Sequence, residues 1–113
     1  MVVPLPPSVN KLYFFVPRLH RFVISGEAKN YYSDVIGLVQ QFCKKNKIKP
    51  IEEYKPLYID IYLRRRNSDS HNYFKVLFDC LQKGELFKDD RYIMARVESI
   101  SIDTKNPRVE MWI

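Results

Sequence analysis

The fold of this chain is decided by residues 57–63, which read Leu57-Tyr-Ile-Asp-Ile-Tyr-Leu63. Leucine or isoleucine occupies every second position, and tyrosine or aspartate fills the positions between. Successive side chains of a strand point to opposite faces of a sheet, so this alternation is typical of a half-buried β-strand. The segment therefore predicts a strand of a sheet with one face in the core.

Helical patterns lie on both sides of this strand. Before it, Ser25 is a suitable N-cap and Glu27 a favourable first-turn carboxylate. This helix is expected to end near residues 44–49, before Pro50. After the strand, a second helix is predicted to start at residues 68–70 and to end at Gly84, as a C′ residue. The predicted buried stripes are Ala28, Tyr32, Val35, Ile36, Val39, Phe42 and Cys43 in the first helix, and Phe74, Leu77, Phe78 and Leu81 in the second.

Shorter strand patterns complete the chain. Apolar runs at 12–16 and 21–24 predict a β-hairpin, and residues 92–102 predict a strand with a bulge near Glu98–Ser99. A last strand at 108–113 is expected to form a second hairpin with the preceding strand, across a turn at 103–107. The order β-hairpin, α, β, α, β, β predicts an α/β (α+β) fold, a small mixed sheet with two helices, in a single domain spanning residues 1–113.

The charge of the chain is unevenly distributed. Its 113 residues carry a net charge of +6. Twelve basic and five acidic residues give residues 1–66 a net +7, and seven basic and eight acidic residues give residues 67–113 a net −1. A basic surface indicates either contact with nucleic acid or simple solubility. The separate group of carboxylates favours a metal-dependent enzyme that acts on phosphodiesters.

Other classes of protein are disfavoured by the sequence. No apolar run approaches the ~18–20 residues of a membrane span, so no membrane association is expected. The N-terminus lacks the features of a signal peptide. Cys43 and Cys80 fall within apolar helical patterns and are interpreted as core thiols in a reducing cytoplasm, although the sequence leaves a disulfide between them open.

Residues 64–75 carry the chemistry. Three arginines, Arg64, Arg65 and Arg66, end the predicted strand, and Asp69 and His71 follow in a turn. If the strand at 92–102 pairs beside the strand at 57–63, Asp90 can come close to Asp69 and His71. Those three side chains would suit Mg²⁺ or Mn²⁺.

The second predicted helix adds a polar face to this segment. Asn72, Lys75 and Asp79 share one face of it, and Lys75 could offset charge on a phosphodiester in the transition state. Taken singly, each of these groups has an ordinary alternative. Asp69 could be an N-cap, Lys75 and Asp79 a surface pair, and Asp89 with Asp90 an acidic turn.

The sequence resembles the RusA family of Holliday-junction resolvases, which are small homodimeric Mg²⁺-dependent endonucleases often encoded by prophages. The resemblance runs from Leu5 to Ile113. Residues 6–10 match the family's P-P-S-x-N, and residues 89–93 match its D-D-x-x-I. The central R-R-R-D-x-D-N-x-x-K-x-x-x-D-x-L is matched by Arg64–Arg66, Asp69, Asn72, Lys75, Asp79 and Leu81.

The resemblance implies roles for the matched residues. Asp69 and Asp90 would bind the metal and take part in catalysis, and Lys75 would be catalytic. Asp79 and Asp89 would support the site. The expected contacts with DNA are Arg64, Arg65, Arg66, Asn72, Lys75, Asn10 and Lys11.

The chain departs from the family pattern in its central motif. His71 replaces the middle metal-binding aspartate, and Asn67 and Ser68 are inserted before Asp69. Histidine can still ligate a divalent ion and favours Mn²⁺ more than a carboxylate does. The expected function is therefore Mg²⁺- or Mn²⁺-dependent cleavage of branched DNA by a homodimer. One alternative is a DNA-binding protein with reduced or lost cleavage, and another is a basic interaction module. Tyr13, Phe14 and Phe15 could wedge into a junction, but a core position is preferred for them.

Overall fold

The computed structural model describes residues 1–7, 13–66 and 73–113. Within these ranges, the chain forms a four-stranded mixed sheet, a separate two-stranded hairpin and two α-helices, which confirms the predicted α+β fold. The strands are β1 (Val2–Pro4), β2 (Tyr13–Val16), β3 (Arg21–Ile24), β4 (Lys55–Leu63), β5 (Ile93–Ile102) and β6 (Arg108–Trp112). The helices are α1 (Gly26–Lys45) and α2 (Phe74–Lys83).

Strand β4 is central to the sheet, whose strand order is β1-β6-β4-β5. It pairs in parallel with β5 and antiparallel with β6. Its alternation is confirmed, because one face is fully buried and the other is only partly covered. The buried face forms the core together with side chains of α1, α2, β1 and β6; on β4 it consists of Leu57, Ile59, Ile61 and Leu63.

The predicted second hairpin is wrong. Strands β5 and β6 follow one another in the chain, but β4 lies between them and pairs with both. A central position buries the strongly apolar β4 more completely than an edge position would. The alternation of residues within one strand does not indicate which strands will be its neighbours. The bulge is confirmed, since Ile59 pairs with Val97 and Asp60 with Ser99, which leaves Glu98 out of register.

Two further elements concern the N-terminal part of the chain. The predicted hairpin is confirmed, with Tyr13 opposite Ile24 and a 3₁₀ turn at Pro17–Leu19 between its strands. Strand β1 was not predicted, because three residues are too few to show an alternation. It forms by pairing with β6, where Val3 lies opposite Val109.

Helix α1 begins as predicted. The hydroxyl of Ser25 accepts a hydrogen bond from the backbone nitrogen of Ala28 at 3.1 Å. Tyr31 belongs to the buried stripe although the sequence did not indicate it, and its hydroxyl donates to the Pro4 carbonyl at 2.7 Å. Burial raises the pKa of this hydroxyl above its ordinary value. The buried residues of α1 are Ala28, Tyr31, Val35, Val39 and Cys43, whereas the predicted Tyr32, Ile36 and Phe42 are partly buried.

Helix α2 begins at Phe74, and its predicted start at residues 68–70 lies outside the described residues. Its buried side chains are Val76, Leu77, Cys80 and Leu81, whereas Phe74 and Phe78 are partly buried and stack on one another. Both cysteines are free and buried, as the sequence indicated, and burial raises the pKa of the Cys80 thiol to about 12. Neither α1 nor α2, as described, has the length and hydropathy needed to span a bilayer.

Gly84 ends α2 for a reason other than the predicted one. Its φ is −81°, so it is not in the left-handed region, and the positive φ of 67° falls on Glu85. Gly84 instead permits a close approach of the two helices, because a Cβ at this position would lie 2.5 Å from Cγ1 of Val39. Glycine is therefore required here by packing against α1.

We expect Gly84→Ala to lower the free energy of unfolding by about 1–3 kcal/mol, because the added methyl overpacks the contact with Val39. Urea denaturation measures this loss. The matched control is Gly37→Ala, since Gly37 lies inside α1 and a Cβ there would meet nothing within 4 Å. That control should raise stability by about 0.5–1 kcal/mol. Equal stability losses in both variants would contradict the packing argument.

Candidate active site

The exposed side of α2 carries a polar row. Lys75, Asp79 and Gln82 follow at i, i+4 and i+7 and therefore lie along one face of the helix. Lys75 and Gln82 are exposed, and Asp79 is partly buried. With a rise of 1.5 Å per residue, about 10 Å of helix axis separates Lys75 from Gln82. The row gives a cation, a carboxylate and an amide at defined spacing.

Asp79 is held at the contact between the two helices. Its Oδ2 accepts a hydrogen bond from the Tyr32 hydroxyl at 3.2 Å. The Lys83 ammonium lies 4.9 Å from the centroid of the same tyrosine ring. These contacts tie the middle of the polar row to α1, so Asp79 contributes to the position of α2 as well as to its charge.

The adjacent aspartates Asp89 and Asp90 have different environments. Oδ1 of Asp89 accepts from the backbone nitrogen of Arg91 at 2.9 Å and so caps the 3₁₀ turn Asp90–Tyr92. Asp90 is exposed, and its backbone nitrogen donates to Oε1 of Gln82 at 2.9 Å. No residue in the described ranges donates to the Asp90 carboxylate. The Asp89 carboxylate therefore caps the turn, whereas the Asp90 carboxylate oxygens are available to bind a ligand at the end of the polar row.

The sheet register determines where Asp90 lies. Strand β5 does pair beside β4, as the sequence argument required, but the two strands run parallel. Ile93 lies opposite Lys55, so Asp90 is near the start of β4. The three arginines Arg64–Arg66 follow the other end of β4. The strand has eight residue steps of ~3.3 Å, so its two ends are about 26 Å apart.

The arginine segment is exposed and is braced at its base. The Asp103 backbone nitrogen donates to the Leu63 carbonyl at 2.8 Å, and the Thr104 hydroxyl donates to the Arg64 carbonyl at 3.2 Å. An ion pair of 2.8 Å with Arg108 lowers the pKa of Asp103 below its ordinary value. The turn after β5 therefore holds the backbone from which the three arginines project.

Several predicted site residues lie outside the described residues, so their positions stay predictions. These are Asn10, Lys11, Asp69, His71 and Asn72. Among the residues that are described, no three histidine, cysteine, aspartate or glutamate side chains are grouped so as to hold a metal ion. Two of the three predicted ligands are in the segment 67–72, so the predicted metal site is not tested by this result.

The aromatic residues of the hairpin differ from expectation. Phe15 is 50% exposed, so the preferred core position is wrong for this residue. Its ring packs against that of Phe22, at 5.4 Å between centroids, and Phe22 is 69% exposed. The side chains of Tyr13 and Phe14 lie outside the described residues.

Gln82 belongs to the polar row of the candidate site, and the sequence reasoning missed it. Its spacing from Lys75 and Asp79 could have indicated a place on the same face, but glutamine has no charge and no family motif marked it. Only the tertiary structure shows that it holds the backbone of Asp90.

Comparison with known proteins shows that the chain belongs to a class of DNA-cleaving enzymes. The family model described as endodeoxyribonuclease RusA matches residues 4–113. The chain therefore belongs to the RusA family of endodeoxyribonucleases, which resolve Holliday junctions. No curated protein matches the chain.

We expect Gln82→Ala to reduce nicking of a four-way junction about tenfold, because the backbone that carries Asp90 loses its hydrogen bond. Thermal unfolding should change little, since Gln82 is exposed. Gln82→Glu keeps an acceptor oxygen and should retain more activity than the alanine variant. Gln41→Ala, the same substitution at an exposed position of α1, is the matched control. Activity unchanged in Gln82→Ala would show that Asp90 does not need this contact.

Proposed function

We propose that this protein resolves four-way DNA junctions by paired, divalent-metal-dependent phosphodiester nicks, at a site formed by Asp69, His71, Asp90 and Lys75. The observation that carries the proposal is the exposed Asp90 carboxylate at one end of the α2 polar row, in a chain of the RusA family. A partnered surface aspartate would have less capacity to bind a further cation or a water molecule.

The donor set fits Mg²⁺ or Mn²⁺. Asp69 and Asp90 supply carboxylate oxygens, and His71 supplies an imidazole nitrogen, which suits Mn²⁺. A bound ion supplies polarisation of a phosphate oxygen and an acidic water.

Lys75 and the arginines act on the phosphate backbone. The exposed Lys75 ammonium lies on the face that ends at Asp90, where it can offset charge that builds on the phosphodiester during cleavage. Arg64, Arg65 and Arg66, about 26 Å from the start of β4, bind more distant phosphates and orient the junction. Asn10, Lys11 and Asn72 complete the expected contacts with DNA.

Two copies are needed for the proposed reaction. A four-way junction is resolved by two symmetric nicks, and a homodimer with a two-fold axis presents two equivalent sites. The expected environment is the cytoplasm, where cellular DNA is accessible.

The second candidate function is structure-selective DNA binding with reduced or lost cleavage. It is favoured by His71, which stands where the family pattern has an aspartate and removes one negative charge from the predicted ligand set. Under this alternative the chain binds junctions but does not nick them with any divalent ion.

We expect Asp90→Asn to abolish nicking of a synthetic four-way junction and to leave junction binding intact or tighter, because the amide is a poor ligand and the repulsion between Asp90 and phosphate is lost. Nicking is followed on denaturing gels and binding by gel shift, with Mg²⁺ and with Mn²⁺. Asp89→Asn is the matched control, since asparagine keeps the oxygen that accepts from Arg91. Equal losses of binding and cleavage in Asp90→Asn would mean that Asp90 is structural. Absence of nicking by the unsubstituted protein with every divalent ion would favour the DNA-binding alternative.

We expect His71→Asp to shift the metal preference from Mn²⁺ toward Mg²⁺, because a carboxylate replaces a nitrogen ligand. The ratio of nicking rates with the two ions measures the shift. His20→Asp makes the same substitution at an exposed hairpin residue and should leave that ratio unchanged. An identical ratio in His71→Asp and the unsubstituted protein would remove His71 from the ligand set.

A further inference from the structure

Tyr54 and Tyr92 form an aromatic pair at the end of the sheet that carries Asp90. Each tyrosine precedes a strand by one residue, and Lys55 pairs with Ile93, so the two lie side by side at the start of β4 and β5. Their ring centroids are 5.6 Å apart, and the ring planes meet at 77°. Asp90 and Tyr92 are the first and last residues of one 3₁₀ turn, so about 4 Å of helix axis separates them. The aromatic pair is therefore close to Asp90.

Tyr54 keeps an open ring face. The residue is 67% exposed. An edge-to-face contact covers at most one face of each ring, so Tyr92 leaves at least one face of Tyr54 uncovered. Nucleic-acid bases stack on exposed aromatic rings of this kind, whatever the identity of the base, because every base has a π-face. Tyr54 therefore has the geometry of a platform for one base.

Arg91 adds a positioned cation beside the aromatic pair. Its guanidinium carbon lies 4.8 Å from the centroid of the Tyr92 ring, and its Nη2 donates to the Tyr92 hydroxyl at 2.8 Å. That hydrogen bond uses one of the five donors of the guanidinium, so other donors can reach a phosphate oxygen. The side chain is exposed, and its contact with Tyr92 orients it before any ligand binds.

The charges around the pair favour a single nucleotide over a longer stretch of backbone. Glu52 forms an ion pair with Lys88 at 2.7 Å, and Glu53 and Lys55 flank Tyr54 with opposite charges. A track for several phosphates needs a strongly basic surface, which this segment lacks. An aromatic ring with an adjacent arginine instead suits one unpaired nucleotide, whose base stacks and whose phosphate accepts from the guanidinium.

We propose that Tyr54, Tyr92 and Arg91 bind one unpaired nucleotide at the branch point of the junction, with its base stacked on Tyr54 and its phosphate bound to Arg91. Base pairs at a branch point are interrupted on one side, so opening one costs less than opening a pair inside a continuous duplex. Because the cluster is close to Asp90, the bound nucleotide positions the branch point relative to the phosphate that is cleaved. The inference rests on the proposed function for its substrate, and it adds a contact that distinguishes a junction from a duplex.

A double-mutant cycle between protein and DNA tests the stacking. We expect Tyr54→Ala to weaken binding of a synthetic four-way junction about tenfold, because one stacked base is lost. The same substitution should have no effect on a junction in which that nucleotide is abasic, since no base is present to stack. Abasic sites are placed one at a time at the nucleotides on either side of the branch point. Gel shift in EDTA measures affinity without cleavage.

Two variants serve as controls for the cycle. Tyr54→Phe keeps the ring and should bind the intact junction as tightly as the unsubstituted protein. Leu38→Ala removes an apolar side chain that is 39% exposed on α1, and it should leave the affinity for every junction unchanged. Circular dichroism confirms that each variant is folded. No loss of affinity in Tyr54→Ala, or an equal loss on the intact and on every abasic junction, would overturn the proposal.

Salt dependence tests the phosphate contact. We expect Arg91→Gln to reduce the slope of log affinity against log salt concentration by about one, because one phosphate contact is lost. Arg96→Gln, the same substitution at an exposed position of β5, should leave the slope unchanged. An unchanged slope in Arg91→Gln would overturn the assignment of Arg91 and with it the nucleotide site as proposed.

Junction nicking with Mg²⁺ and with Mn²⁺ is measured separately on the unsubstituted protein. Coupling between Tyr54 and a branch-point base, in a protein that does not nick, would support the nucleotide site and refute the proposed cleavage. Nicking without that coupling would refute the nucleotide site and leave the proposed function standing. Absence of junction binding would overturn both.

Discussion

The structure depends on the burial of one face of β4. This strand pairs on both edges, and its alternating leucine and isoleucine side chains form the floor on which α1 and α2 pack. A register slip of one residue would expose that entire face and bury Asp60 in its place. The close contact at Gly84 and the Tyr32–Asp79 hydrogen bond then fix how the two helices lie against one another.

The same constraint places the chemistry. Because β5 is parallel to β4, Asp90 is near the start of β4, and the arginines follow the end of that strand. Helix α2 lies between the arginines and Asp90 in the sequence, and it carries Lys75, Asp79 and Gln82 along one face. Asp89 and Asp90 have the same chemistry in the sequence, yet one caps a turn and the other faces solvent. The separation of roles comes from backbone geometry and not from residue type.

The core also explains the unusual state of β5. Two helices are enough to cover β4, β6 and β1 but leave the outermost strand bare, so apolar side chains that continue the core face are in contact with water. A bulge at Glu98 and charges on either side of Val97 limit edge-to-edge association of this strand.

The sequence by itself determined the local elements and the family. Alternation identified β4, helical spacing identified α1 and most of α2, Ser25 marked a helix start, and the slip near Glu98 marked the bulge, because each of these depends on near neighbours in the chain. The matched motifs pointed to the RusA family, which the family comparison shows. Only the tertiary structure decided the strand order, the pairing of β1 with β6, the packing role of Gly84 and the contact of Gln82 with Asp90. Those features involve residues that are far apart in the chain. The energy of each contact depends on which surfaces pack together, and a local sequence pattern does not contain that information.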